Sequence, residues 1–241
     1  MKVFFYIFNI LIFCFIQSLT GYGAVSYSRD LETKAEAGDA NSQYLMCHCY
    51  IEGLGVKCDY EKALMWCEKA AVQGFKSANT QMGYFYFSGK GVALDYKKAF
   101  DYFRDAAKMG CAEAQFMLAR CFNEGKGVKK DNKRAFLWCE KSAKQNFMLA
   151  QWFLGECYFR GEGVAKDVTL AEMWLKKSAE QGFVHAQYSL GMYYKNCNSS
   201  NEYQELAKKW LRKAAEQNHK LAKKELNKEK ELCELFYCQC P

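Results

Sequence analysis

A chain of 241 residues, half of them hydrophobic and 16% aromatic, holds enough apolar surface for a continuous core. Its only proline is Pro241, so no internal helix breaker stands in the way of helices throughout. The formal charge of +7 is spread along the sequence instead of gathered in one basic arm, so nucleic acid is not implied as a partner.

At the amino terminus, Met1 and Lys2 precede an apolar run from Val3 to Ile16, too short to span a bilayer comfortably and charged at its start, which reads as a secretory signal. Gly21-Tyr22-Gly23 offers a small-x-small site, placing cleavage near residue 23, with an uncleaved anchor as the alternative. The bulky Phe13 before Cys14 speaks against lipidation. Loss of Cys14 leaves twelve of the thirteen cysteines, an even and large number that suits an oxidising compartment. The mature protein is therefore expected to be exported, periplasmic or secreted, with no membrane span once residues 1–23 are removed and residues 24–38 as a lead-in.

From residue 39 the chain repeats itself with a period of 36 residues and no insertion, giving copies at 39–74, 75–110, 111–146, 147–182 and 183–218. The shift superposes Gly53, Gly89, Gly125 and Gly161, then Gly55, Gly91, Gly127 and Gly163, each followed by valine. It also aligns Asp59, Asp95, Asp131 and Asp167, then Ala63, Ala99, Ala135, Ala171 and Ala207, then Trp66, Tyr102, Trp138, Trp174 and Trp210. Apolar spacings of three and four within a copy predict two helices, over 76–88 and 96–109 in the second. In the Gly-x-Gly-Val linker the first glycine can adopt the left-handed conformation that closes a helix, and the aspartate can cap the next. Gly83, Ala119, Gly155 and Gly191 on first helices are expected to face Ala99, Ala135, Ala171 and Ala207 on second helices, letting backbones approach. The fifth copy replaces the glycine linker with Cys197-Asn198-Ser199-Ser200, predicting a linker of different shape; Asn198-Ser199-Ser200 also fits a glycosylation acceptor, read as a chance tripeptide. Residues 219–241 supply a Lys- and Glu-rich capping helix and a Cys-rich tail.

Ala150, Gln151, Leu154, Gly155, Tyr158, Gly161, Gly163, Val164, Asp167, Ala171, Trp174, Ala179 and Gly182 carry a pattern that resembles the Sel-one-like repeat family of the tetratricopeptide-like superfamily. The resemblance covers residues 39–218 and implies an all-α, right-handed solenoid of stacked helical hairpins whose first helices line a concave side. It departs at Cys47, where the family has the helix glycine, and at the fifth linker. A weaker resemblance, resting on export and cysteine abundance, points to the cysteine-rich secreted subgroup reported to bind penicillins; the cysteine pairs about eight residues apart that mark that subgroup are not repeated here.

By register, Cys49, Cys121 and Cys157 share a first-helix position, while Cys67 and Cys139 share one on the second. The equivalents in the second copy are Phe85 and Phe103, so paired substitution suggests facing side chains. Cys49–Cys67 and Cys121–Cys139 are thus candidate disulfides, each stabilising a hairpin by about 2 to 4 kcal/mol; the alternative is four small buried hydrophobes. Cys47-His48-Cys49 and Cys238-Gln239-Cys240 lack Cys-x-x-Cys spacing and a matched second pair, so no metal and no cofactor are expected.

No Ser-x-x-Lys, Gly-x-Ser-x-Gly, His-Glu-x-x-His or phosphate-cradling loop is present, and His48, His185 and His219 are expected at surfaces or interfaces, so no catalytic residue is assigned. The family analogy implies binding columns along the groove: Tyr44, Phe116, Trp152 and Tyr188; His48, Tyr84, Arg120, Glu156 and Met192; Phe87 and Phe159. Rigid rings with interspersed arginine suit a protein interface, although an aromatic of the first column could equally pack between neighbours. The expected function is an exported scaffold or adaptor that binds a protein or peptide partner in that groove. The alternatives implied by resemblance are a weak β-lactam-binding or β-lactam-hydrolysing protein and a secretory-pathway adaptor in protein quality control.

Overall fold

The computed structural model describes residues 26–197 and 200–237, with side chains undescribed at 197 and 229–237. The signal and its cleavage site, Asn198 and Ser199 of the acceptor tripeptide, and the tail cysteines Cys238 and Cys240 lie outside the described residues, as does the Cys233 side chain. Among the described residues there are twelve helices and no strand. The chain divides into two compact units, 1–95 and 96–241, taken here in turn.

The first unit holds α1 (Arg29–Glu36), α2 (Ala40–Glu52), α3 (Tyr60–Val72) and α4 (Lys76–Ser88). The predicted span of α4 is met at both ends. Residues 24–38, expected only as a lead-in, contain a helix. Leu31, Ala35 and Gly38 stand one period before Cys67, Ala71 and Gly74, so α1 occupies the place of the second half of a second helix. Gln43 of α2 accordingly donates to the Ala35 carbonyl at 3.0 Å.

The second unit holds α5 (Tyr96–Lys108), then the hairpins α6 (Ala112–Glu124) with α7 (Asn132–Lys144), α8 (Met148–Arg160) with α9 (Val168–Glu180) and α10 (Val184–Cys197) with α11 (Asn201–Glu216), and last α12 (Lys220–Tyr237). Each hairpin buries alanines at the crossing, and Ala135, Ala143, Ala171, Ala179, Ala207 and Ala214 are all sealed from solvent. A Cβ on Gly155 would lie 2.7 Å from Leu175 Cγ and 3.2 Å from the Ala171 carbonyl oxygen, so the glycine meets the leucine first and the expected alanine through its backbone. Gly191 stands the same way against Leu211.

The linkers form for local reasons. Gly53, Gly89, Gly125 and Gly161 close the first helices with φ between 69° and 74°, each donating its N–H to the carbonyl four residues back. Asp59, Asp131 and Asp167 cap the helices that follow, accepting from backbone N–H groups at 2.9 to 3.1 Å. The second glycine has a different task. Gly127, at φ +72°, lies so close to the start of α5 that a Cβ would fall 2.0 Å from the Tyr96 carbonyl oxygen, and Gly163 makes the same approach to Asn132. Where the glycine linker is missing, α10 runs one residue longer than its counterparts and α11 begins at Asn201, three residues ahead of register, with Ser200 accepting from Tyr203 N at 3.5 Å.

Candidate protein-binding face

The first helices are held in register by an amide ladder. Gln115, Gln151 and Gln187, nearly or fully buried on α6, α8 and α10, donate to the carbonyls of Ala107, Ala143 and Ala179 at 3.2 to 3.3 Å. Their own oxygens accept from Gln145, Gln181 and Gln217 at 2.6 to 2.9 Å. Gln43 and Gln73 repeat the arrangement in the first unit. Each first helix is thereby fastened to the helix before it by its own glutamine, whose amide oxygen is in turn held by the glutamine thirty residues on at the end of the same hairpin. Gln151→Leu keeps the volume and deletes this satisfaction, and is expected to cost about 1–3 kcal/mol in urea unfolding.

On that frame the second unit carries a run of rings from α8 to the edge of α12. Trp152 lies 5.5 Å from Phe183 and 6.0 Å from His185, and its indole N–H donates to Ser189 Oγ at 3.3 Å. His185 meets His219 edge-on at 5.3 Å, and Tyr188 stacks on His219 at 4.5 Å. Trp152, Tyr188, His185 and His219 are all half-buried. Burial pushes the pKa of both histidines down, with the neighbouring His219 charge adding to the effect on His185.

The other positions divide. Phe159 is 39% exposed, with Tyr193 at 6.2 Å and the Lys166 ammonium at 5.7 Å from its ring. Glu156 is bound to Arg160 at 2.9 Å, and Arg120 to Glu124 at 2.9 Å, with Lys126 on the other carboxylate oxygen. Arg120 thus already holds a carboxylate of its own chain. Phe116, 2% exposed, packs among Phe147 and Phe153 and belongs to the core, and Met192 packs partly buried against Leu211 and Ala214. In the first unit Phe87 is also core, at 7% exposed, while Tyr84 is half-buried. Tyr44 meets His48 edge-on at 4.4 Å and Phe75 at 5.2 Å.

Cys49, Cys67, Cys121 and Cys139 are buried free thiols, so neither of the expected pairs is joined in the structure. Burial raises the pKa of the Cys47 thiol with nearby Cys67 adding to the effect, and burial raises that of Cys139 with Cys157, on the first helix of the following hairpin, adding to it. Cys67 and Cys139 donate to the carbonyls of Ala78 and Ala150 at 3.3 and 3.1 Å. Among the described residues no three His, Cys, Asp or Glu side chains converge as metal ligands, and no helix is long and apolar enough to cross a membrane.

The profile of the Sel1 repeat matches residues 40–75, 76–111, 112–147, 149–183, 184–196 and 200–219, six segments that cover most of the chain. The chain is a Sel1 repeat protein. A solved Sel1 repeat protein from Oxalobacter formigenes is 31% identical, with 79% of this chain and 78% of that one covered at a TM-score of 0.73. A protective antigen of uropathogenic Escherichia coli strains, displaying the same fold, is 33% identical at a TM-score of 0.74 over 80% of this chain; the chain spans only 41% of that antigen's length. An immunity protein of Pseudomonas aeruginosa, 19% identical over 77% of this chain and 71% of its own, shares the fold at a TM-score of 0.53. Among curated proteins none matches.

As a Sel1 repeat protein, the chain also repeats, in the same 36-residue register, a pairing of lysine with tryptophan. Lys69, Lys141, Lys177 and Lys213 lie over Trp66, Trp138, Trp174 and Trp210 at 4.2 to 4.7 Å, three residues apart on second helices. Each ammonium covers an indole face that would otherwise meet water, worth about 0.5–1 kcal/mol per pair.

Proposed function

We infer that this Sel1 repeat protein is an exported scaffold that binds a protein or peptide segment along the face that the first helices of its second unit present. The observation that carries the reading is the half-buried ring run of Trp152, His185, Tyr188 and His219, bordered by exposed Phe159. Rings already fixed by their neighbours lose little conformational freedom when a partner covers them, so such a face binds at low entropic cost. The repeat class favours the same reading, because stacked hairpins present extended recognition surfaces. Export is supported by Lys2 followed by the apolar run to Ile16.

The test is selection of displayed peptides on the mature protein, followed by titration of the enriched sequences. The Phe159→Ala/Tyr188→Ala double variant is expected to weaken binding at least tenfold, about 1.4 kcal/mol or more, with the unfolding midpoint of the second unit nearly unchanged. Equal affinity for wild type and variant would remove this face from the function.

A further inference from the structure

The hairpin of α2 and α3 differs from the others at one facing pair. In the fourth and fifth copies a Cβ on Gly155 lies 2.7 Å from Leu175 Cγ, and one on Gly191 lies 2.8 Å from Leu211 Cγ, so side chains placed at these registers are in direct contact across a hairpin. In the first copy the same registers hold Cys47 and Cys67, on two helices of 13 residues each. The first-helix residue now has its Cβ, and the second-helix residue carries sulfur where leucine carries Cγ. In a disulfide each Cβ stands about 3 Å from the partner's sulfur, which follows from an S–S length of about 2.0 Å and the angle at sulfur. Both residues are fully buried free thiols, Cys67 donates to the Ala78 carbonyl at 3.3 Å, and Cys67 is close enough to add to the rise that burial imposes on the Cys47 thiol. The equivalent registers of the fourth and fifth copies thus place the two side chains opposite each other across the hairpin.

We propose that Cys47 and Cys67 are joined by a disulfide that staples the first hairpin. Its formation consumes an oxidant of the disulfide class, such as oxidised glutathione or a protein disulfide. One cysteine, as thiolate, attacks the oxidant's S–S bond and releases one thiol; the second displaces the other half of the oxidant as a second thiol. The two protons lost by Cys47 and Cys67 end on the two released thiols, and the two electrons taken from the cysteines reduce the oxidant. Burial raises the pKa of the closed Cys47 thiol well above its ordinary value, so exchange takes place while α3 docks on α2 and not in the finished hairpin. For the same reason the bond, once closed, resists reductant until the hairpin opens.

The test is refolding of the reduced full chain in a glutathione redox buffer, alkylation of remaining thiols and peptide mapping. The expected product is a cross-linked peptide pair containing Cys47 and Cys67, about 2 Da lighter than the two reduced peptides together. A Cys47→Gly/Cys67→Leu variant recreates the Gly155–Leu175 pair and keeps the hairpin packed. Reductant is expected to lower the thermal midpoint of oxidised wild type by several degrees more than that of this variant. Full alkylation of both cysteines after refolding, a bond from Cys67 to Cys49, or an equal response of the two proteins to reductant would each overturn the assignment.

Discussion

Replacing Gly127 by alanine is expected to cost about 2–5 kcal/mol, at its upper end close to the largest loss a single added methyl can inflict on a protein of this kind. Two penalties coincide there. At φ +72° an alanine bears the left-handed strain of about 1–2 kcal/mol. Its Cβ would also fall 2.0 Å from the Tyr96 carbonyl oxygen and 2.5 Å from the carbonyl carbon, and a backbone at the start of a helix has no rotamer with which to retreat. The α6–α7 linker must then lift away from α5, with an overpacking cost of about 1–3 kcal/mol on top of the strain. Gly182→Ala separates the two terms, since Gly182 has φ +91° but nothing within 4 Å of its Cβ position. It is expected to lose only about 1–2 kcal/mol. Urea unfolding of the two variants side by side decides the matter, and equal losses would show that the close approach contributes nothing.

That contrast marks the boundary of what the sequence discloses. Helices 76–88 and 96–108, the left-handed closing glycines and the aspartate caps are all written in residues adjacent to the structure they make, so period and turn chemistry suffice to find them. The partner of Gly127 is 31 residues upstream, and each amide of the glutamine ladder answers one 30 residues away. Local propensity does not see such contacts. The ladder left one trace, because Gln115, Gln151 and Gln187 recur with Gln145, Gln181 and Gln217, while Asn79 and Met109 hold those registers in the second copy. The binding columns failed where register names a helix position without saying which flank the next hairpin covers. Thus Phe87 and Phe116 are core, whereas Phe159, in the register of Phe87, is exposed. The expected cysteine pairs are not joined in the structure, and register alone does not choose a partner for Cys67, because Cys47 and Cys49, about 200° apart around α2, carry their sulfurs to different sides of the helix.

Acid is expected to destabilise the protein well above the range in which carboxylates titrate, and His48 is the main reason. Its Nδ1 is sealed from solvent on α2 beside the Tyr44 ring, and burial lowers the imidazole pKa from 6.5 to about 4. Above pH 6.5 both folded and unfolded chains carry the neutral ring, and the shift has no effect on stability. As the pH falls, the unfolded chain takes up a proton near 6.5 that the folded chain refuses until about 4, so stability declines across that window. The loss amounts to about 2 kcal/mol at pH 5 and about 3 kcal/mol at pH 4, a ceiling because the residue keeps some exposed surface. His185 and His219 are depressed in the same direction and begin to contribute over the same range. Asp39 and Glu225, whose pKa values are lowered by hydrogen bonds to Ser42 and to Lys228 and Lys195, add their own losses only at lower pH, so the interval from pH 7 to 5 isolates the histidines. His48→Gln cannot be protonated and is expected to flatten most of the decline in the first unit, leaving a shallower slope from the other two rings. Parallel wild-type and variant curves of unfolding free energy between pH 7 and 5 would mean that the folded chain protonates His48 as readily as the unfolded one, and the burial argument would fall with that result.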